Sequence, residues 1–280
     1  MIIKTIGQVT FVLNGDFDFS FISDYGEPFA VFDQQDSGNL CFGVQGRDGK
    51  RFLKMAGART LRSRVCPEEA VDRLKSTVEV YEALHHPKLI RLIGQRAIDG
   101  GHVLVFDWFE GKCMGKQYDS RDRFLSLPAA EKLAIYQDIL EFHRHVNDKG
   151  YVAIDFYDGC IMYDFDARLT MLCDIELYRK MPVINHMGRM WGSTRYMSPE
   201  EFEMGAQIDG RSNVFMVGAT AFNLFGGEMD RSYESWGLSK ALFSIASKAT
   251  SAQREARYAS IGEFMDAWNG AIVTLAPPVI

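Results

Sequence analysis

Gly192-Ser193-Thr194-Arg195-Tyr196-Met197-Ser198-Pro199-Glu200 is the stretch on which the reading of this 280-residue chain turns. Ser198 and Glu201, with Pro199 between them, form a capping box, in which the serine hydroxyl and the glutamate satisfy each other's backbone donors. Downstream, Asp209-Gly210-Arg211-Ser212-Asn213-Val214-Phe215 leads into an apolar helix that starts near Ser212 and ends at Gly226-Gly227. Upstream, Met171-Leu172-Cys173-Asp174 is an apolar strand that ends in a carboxylate. A carboxylate straight after an apolar run is costly to bury unless it is paired or metal-bound. Before that, Lys149-Gly150-Tyr151-Val152-Ala153-Ile154-Asp155 follows an amphipathic helix opened by Pro128, with Leu133, Tyr136, Ile139 and Leu140 on one face.

The first 56 residues read as strands, in runs such as Val9 to Leu13 and Leu40 to Val44, divided by Gly, Asn and Asp. Arg47-Asp48-Gly49-Lys50 is a hairpin turn that feeds a strand, Arg51-Phe52-Leu53-Lys54-Met55. A helix opens at Pro67 with Glu68 and Glu69 in its first turn, where acids offset the macrodipole, and Leu74, Val78 and Tyr81 recur at helical spacing. Strands follow around Leu89 to Ile93 and His102 to Trp108. From about residue 128 the chain is mainly helical, with a second capping box at Ser260 and Glu263. The class is α+β, strands first and helices after, and a cleft between two such parts is a natural ligand site.

Composition narrows the function. Net charge is −6, with no block of five basic residues, so the electrostatic footprint of nucleic-acid binding is missing. The five cysteines, Cys41, Cys66, Cys113, Cys160 and Cys173, are odd in number and contain no CxxC pair. That argues against a disulfide framework or zinc site and for a reducing compartment. The start has no signal-peptide core, and the most apolar stretch, Phe215 to Phe225, is shorter than the ~20 residues a membrane span needs. These points give a cytoplasmic protein with no membrane or nucleic-acid partner. His143 and His145, two apart on a helix, do not face one another as a metal pair would.

From about residue 38 to 268 these segments, in this order, resemble the eukaryotic-type protein kinases. His86-Pro87-Lys88-Leu89-Ile90-Arg91-Leu92-Ile93-Gly94 is similar to that family's link from the helix into its fourth strand. Leu104 to Gly111 is similar to the hinge that bonds adenine through its backbone, and Gly192 to Glu200 to the end of the activation segment. The resemblance implies a bilobal fold, with a β-rich N-lobe over 1–109 carrying one main helix and a helical C-lobe over 110–280. Residues 1–30 are an extra N-terminal segment that it does not explain. It also implies site residues. Lys54 holds the phosphates of ATP, while Gly38, Cys41, Asp107 and Phe109 contact the nucleotide and Phe106 is the gatekeeper. Asp155 orients an acceptor hydroxyl, Asp174 binds Mg2+, and Glu200 pairs with Arg257. The partners are ATP and a protein substrate.

The pattern also breaks. The glycine-rich loop keeps only Gly38 in Asp36-Ser37-Gly38-Asn39-Leu40. The slot of the helix glutamate that pairs with the strand lysine holds Thr77. Glu79 and Glu82 are nearby, but two residues on a helix is about 200° of rotation. Ala153-Ile154 stand for the usual His-Arg, Tyr157 for a lysine, and Cys160 for a metal-binding asparagine, although a thiol is too soft for magnesium. Asp158 is the candidate substitute. Asp174-Ile175-Glu176 lacks the glycine hinge, Glu176 being a further carboxylate, and Asn213 replaces an aspartate that braces the catalytic loop. The resulting expectation is an atypical serine/threonine-type kinase. The rivals are a pseudokinase acting as a nucleotide-binding or scaffolding module, and a small-molecule kinase.

Overall fold

The computed structural model describes residues 1–34 and 36–275. The chain divides into two compact units, residues 1–85 with 90–110, and residues 86–89 with the chain from Gly111 onward.

The first unit opens with a hairpin, β1 (Ile2–Ile6) and β2 (Val9–Leu13), and a short 3-10 turn, Ser20–Asp24. β3 (Glu27–Phe32), β4 (Leu40–Gly46) and β5 (Gly49–Ala56) follow, then helix α1 (Pro67–Ala83), β6 (Leu92–Ile98) and β7 (Gly101–Asp107). Five strands make one antiparallel sheet in the order β3-β4-β5-β7-β6. The β4–β5 turn is set by Gly49, whose φ of 118° suits a residue without Cβ. The two faces of the sheet are covered differently. Leu40, Phe42, Val44, Leu53, Met55, Val103 and Val105 are buried together with Val9, Phe11, Leu13, Phe19, Phe21 and Ile22. The N-terminal segment therefore seals one face of the sheet, and Phe11 packs edge-on against Phe19 and Phe42. The other face packs on α1, where Tyr81 meets Phe106 at 5.0 Å. Helix α1 starts at Pro67 as expected, capped by the Cys66 sulfur, and buries Leu74, Val78 and Tyr81.

One strand is displaced from its expected position. The sixth strand runs over Leu92–Ile98 rather than Leu89 to Ile93, with an irregularity between Leu92 and Gly94. Leu89 is bridged to Leu172, and the Lys88 carbonyl accepts from the Leu172 N–H at 2.7 Å, so 86–89 are held by the second unit.

The second unit starts with β8 (Lys112–Cys113), α2 (Ser120–Leu125) and α3 (Ala129–Asp148). Next come β9 (Tyr151–Val152), the hairpin β10 (Ile161–Asp164) and β11 (Leu169–Leu172), and the short strands β12 (Arg179–Lys180), β13 (Val183–Ile184) and β14 (Gln207–Ile208). Helices α4 (Gly210–Phe225), α5 (Lys240–Ala249) and α6 (Ile261–Leu275) complete it. Helix α4 is buried from Ser212 to Phe225 and packs on α3, α5 and α6. An apolar helix of this kind is stable only when surrounded. It begins two residues before the expected Ser212, because Asp209 caps it and Ser212 closes a capping box. Tyr136, Phe222, Phe225, Trp236 and Trp268 form an aromatic core around it. Both expected capping groups form. Glu201 accepts from the Ser198 N–H at 2.6 Å, and Ser260 accepts from the Glu263 N–H at 3.2 Å while Glu263 returns to the Ala259 N–H. No described helix is long and apolar enough to cross a membrane.

Candidate functional site

The second unit gathers its chemistry on the loop between β9 and β10 and on the segment after β11. Asp155 and Asp174 both adopt the left-handed backbone, at φ 62° and 59°. Asp is one of the few residue types that tolerates this region, and such outliers cluster at functional sites. The two are brought together around Cys160, whose sulfur lies 3.7 Å from the Asp155 carbonyl and 4.0 Å from that of Asp174. Burial pushes the Cys160 thiol well above its usual range, with Asp174 adding to the effect. It remains a protonated donor to carbonyls.

The loop is braced from below. Asn213 on α4 accepts from the Ala153 N–H at 2.8 Å and donates to the Tyr151 carbonyl at 2.9 Å. An amide can do both, whereas a carboxylate could only accept. Gly192 also packs here: a Cβ on it would lie 3.6 Å from the Asp155 Cα. At its far end, the segment Gly192 to Glu200 is fixed by the expected ion pair. Arg257 grips Glu200 through both nitrogens, at 2.7 and 2.9 Å.

His143 is a second connector. Its Nδ1 faces the Ile139 carbonyl at 2.8 Å, so that nitrogen carries the proton, and Nε2 accepts from the Tyr178 hydroxyl at 2.9 Å. Its ring packs on Phe156 at 4.4 Å. One buried histidine thus ties the residue after Asp155 to the segment after Asp174. Burial pushes its imidazole down to about 4 from 6.5. The unfolded chain therefore binds this proton first. The stabilisation is complete above pH 6.5 and is lost as pH falls toward 4. At about 1.4 kcal/mol per unit this amounts to as much as about 3 kcal/mol. Glu201 acts in the opposite direction. Burial raises its carboxyl to about 7, so its stabilisation is lost as pH rises from 4.5 toward 7. Chemical denaturation of the natural chain and of His143→Gln across this range removes the Glu201 contribution by difference. The natural chain is expected to lose more stability on acidification, and parallel curves would rule out His143 as the titrating group.

Asp158 corrects an expectation. It is not available to a metal: its side chain is 1% exposed and lies between two guanidinium groups. Arg195 binds it at 2.7 and 2.9 Å, and Arg121 binds both Asp158 and Glu228. Sequence alone does not reveal this network, because Arg121 and Glu228 are 107 residues apart and long-range ion pairs leave no local pattern. Tyr157 is half-buried, with its ring so close to Gly159 that a Cβ there would clash with it. Glu176 is buried and Asp174 half-buried. Among the described residues, no group of three or more His, Cys, Asp or Glu side chains is placed to hold a metal.

In the first unit Lys54 and Cys41 share the sheet face that packs on α1, whereas Asp107 falls by strand alternation with Val103 and Val105 on the other face. Lys54 is paired in register with Cys41 and Leu104, and Phe52 with Gly43 and Phe106. Its neighbours Leu53 and Met55 point into the opposite core, which fixes the direction of Lys54. Gly38, at φ 88°, turns close to Ser63 and Ala70. The Asp107 carboxylate pairs with Arg91 at 2.7 Å and its N–H bonds the Arg91 carbonyl at 3.1 Å. Phe109 is half-buried. Thr77 is fully buried, with its hydroxyl on the Arg73 carbonyl, whereas Glu79 and Glu82 are exposed. Neither glutamate faces the sheet, because the helix keeps its expected rotation. Unforeseen is the aromatic crowding of this face: Phe32, Phe52 and Phe106 form a chain of rings, and Phe29 and Trp108 close over Gly43. The hollow lined by Tyr25, Gln45, Arg47, Arg51, Ile93 and Gln95 contains none of these residues. No family model and no curated protein matches this chain.

Proposed function

We propose that this chain is a protein-kinase-like phosphotransferase of the serine/threonine type, which uses ATP and Mg2+ to phosphorylate a protein hydroxyl. The observation that carries this reading is the pairing of Asp155 and Asp174. Two aspartates from separate segments stand in left-handed turns with their backbone carbonyls around one buried thiol, and the loop that carries Asp155 is held by Asn213. Phosphoryl transfer asks the protein mainly for positioning and charge. Asp155 would orient the acceptor hydroxyl and take its proton. Lys54 would hold the nucleotide phosphates, with Gly38, Cys41, Asp107 and Phe109 along the nucleotide.

The donor set fits magnesium in a limited way. Asp174 offers hard carboxylate oxygen, and Mg2+ is usually held by one or two protein carboxylates, with water and phosphate oxygens completing its shell. A three-ligand protein cluster is therefore not required. Cys160 and Asp158 do not suit the ion, the first because a thiol is too soft for magnesium and the second because two arginines already occupy its carboxylate. When bound, the ion neutralises charge on the phosphates.

A second reading, a pseudokinase scaffold, draws on specific observations. Thr77 replaces a lysine-pairing carboxylate, and the rings of Phe52 and Trp108 occupy the face that carries Lys54. Thermal denaturation with ATP decides between the two. Ligand at 100 times its dissociation constant stabilises by about 2.7 kcal/mol. Phosphotransfer predicts a rise in Tm that is larger with Mg2+ than without, the difference vanishing in Asp174→Asn. No rise under either condition contradicts it and leaves the scaffold.

A further inference from the structure

Four cations meet two carboxylates in the second unit. Arg121 binds Asp158 and Glu228, Arg195 binds Asp158 and lies 3.7 Å from Glu228, and Lys116 pairs with Glu228 at 2.6 Å. Arg231 joins through the Arg195 carbonyl, which accepts from its Nη2 at 3.2 Å. The sum, four positive against two negative, leaves a surplus of two positive charges. The inner part of the cluster is dehydrated, with the Arg121 and Arg195 side chains 10% and 13% exposed, while Lys116, at 51%, keeps its water. Charges removed from water in this way are costly unless matched.

Two buried donors beside them also lack acceptors. The Tyr196 hydroxyl, on a residue 2% exposed, and the Arg231 Nε make no hydrogen bond among the described residues. The Arg195 guanidinium lies over the Tyr196 ring, 5.1 Å from its centre. Arg231 lays its guanidinium on the rings of Phe215 and Phe222, which partly compensates its charge but leaves Nε unmatched. Surplus positive charge and unmatched donors are the same deficiency, a missing anion.

Glu228 is the more accessible of the two carboxylates, its side chain 25% exposed against 1% for Asp158. Glu228 adopts φ 61°, a conformation costing of order 1–3 kcal/mol for a residue that is not glycine. It follows Gly226 and Gly227, and Met229 beside it is exposed. Asp158 is only three residues from Asp155 in sequence.

We propose that Lys116, Arg121, Arg195 and Arg231 form a recognition site for an acidic side chain of the peptide substrate, which displaces Glu228 as the resident anion. This rests on the phosphotransferase reading for what the peptide is, although its binding is measured separately. A carboxylate and a phosphorylated side chain share the required chemistry.

Fluorescence anisotropy with the full chain tests this, using serine peptides flanked by glutamate, by glutamine or by phosphoserine. The glutamate peptide is expected to bind at least about tenfold tighter than the glutamine peptide, since hydrogen bonds to charged groups exceed the 1.4 kcal/mol that tenfold represents. Glu228→Gln should tighten acidic-peptide binding and Lys116→Glu should weaken it. Tighter binding of the phosphoserine peptide than the glutamate peptide assigns the anion to a phosphorylated partner, and the reverse assigns it to a carboxylate. Equal binding of glutamate, phosphoserine and glutamine peptides overturns the site. An acidic peptide that binds but accepts no phosphate leaves the site and removes the phosphotransferase. Phosphorylation indifferent to flanking charge does the opposite.

Discussion

An Arg257→Ala chain is expected to lose about 3–5 kcal/mol of unfolding free energy, because it strands a buried carboxylate. Arg257 has no exposed side-chain surface, and Glu200 is 8% exposed. Burial raises the Glu200 carboxyl, but hydrogen bonds from Arg257 and Ser212 outweigh it and hold the group below its usual value. Take away Arg257 and the desolvation remains while the compensation is largely gone. More is lost than one pair. Arg257 also donates to the Ser251 and Arg211 carbonyls and stacks on Phe215. The Ser198 cap and the brace of 192–200 are built on this anchor. Replacing both partners with apolar residues of similar volume should cost clearly less than the single change, since no charge is then left unpaired. Urea denaturation of the single and double variants measures the difference. A single variant within about 1 kcal/mol of the natural chain would show the pair to be dispensable.

Much of the fold is legible in the sequence because it is local. Pro67, Glu68 and Glu69 mark the start of α1, and the two capping boxes mark turns that form where their residues stand. Helix α4 is apolar nearly all round and is buried accordingly. Errors come where distant contacts decide. Leu89 reads as strand but is taken by Leu172, and β6 begins beyond it. Residues 1–30 carry strand patterns with no hint of destination; only the opposing face of Leu40, Phe42 and Leu53 shows what they cover. At the candidate site, Asp155 and Asp174 stand out because carboxylates interrupt apolar runs. Asp158 looks equally free in sequence, yet arginines 37 residues away on either side, Arg121 and Arg195, consume it. Spacing argues against His143 as a metal ligand, but its structural role becomes visible only with Tyr178 in place.

The other large effect is expected at Asp155. Asparagine there keeps the size and the left-handed backbone that asparagine also tolerates. It removes the negative charge and the proton acceptor. General-base assistance is worth about 10²–10⁴-fold, so phosphate incorporation should fall by that factor while the Asn213 brace and the Glu200–Arg257 anchor stay intact. The natural chain and Asp155→Asn, matched for melting temperature, are incubated with γ-labelled ATP, Mg2+ and serine peptides, and label in the peptide is counted. Phosphotransfer through Asp155 predicts label from the natural chain and about a hundredfold less, or none, from Asp155→Asn. Equal label from both proteins, or none from the natural chain that binds ATP and Mg2+, would contradict it.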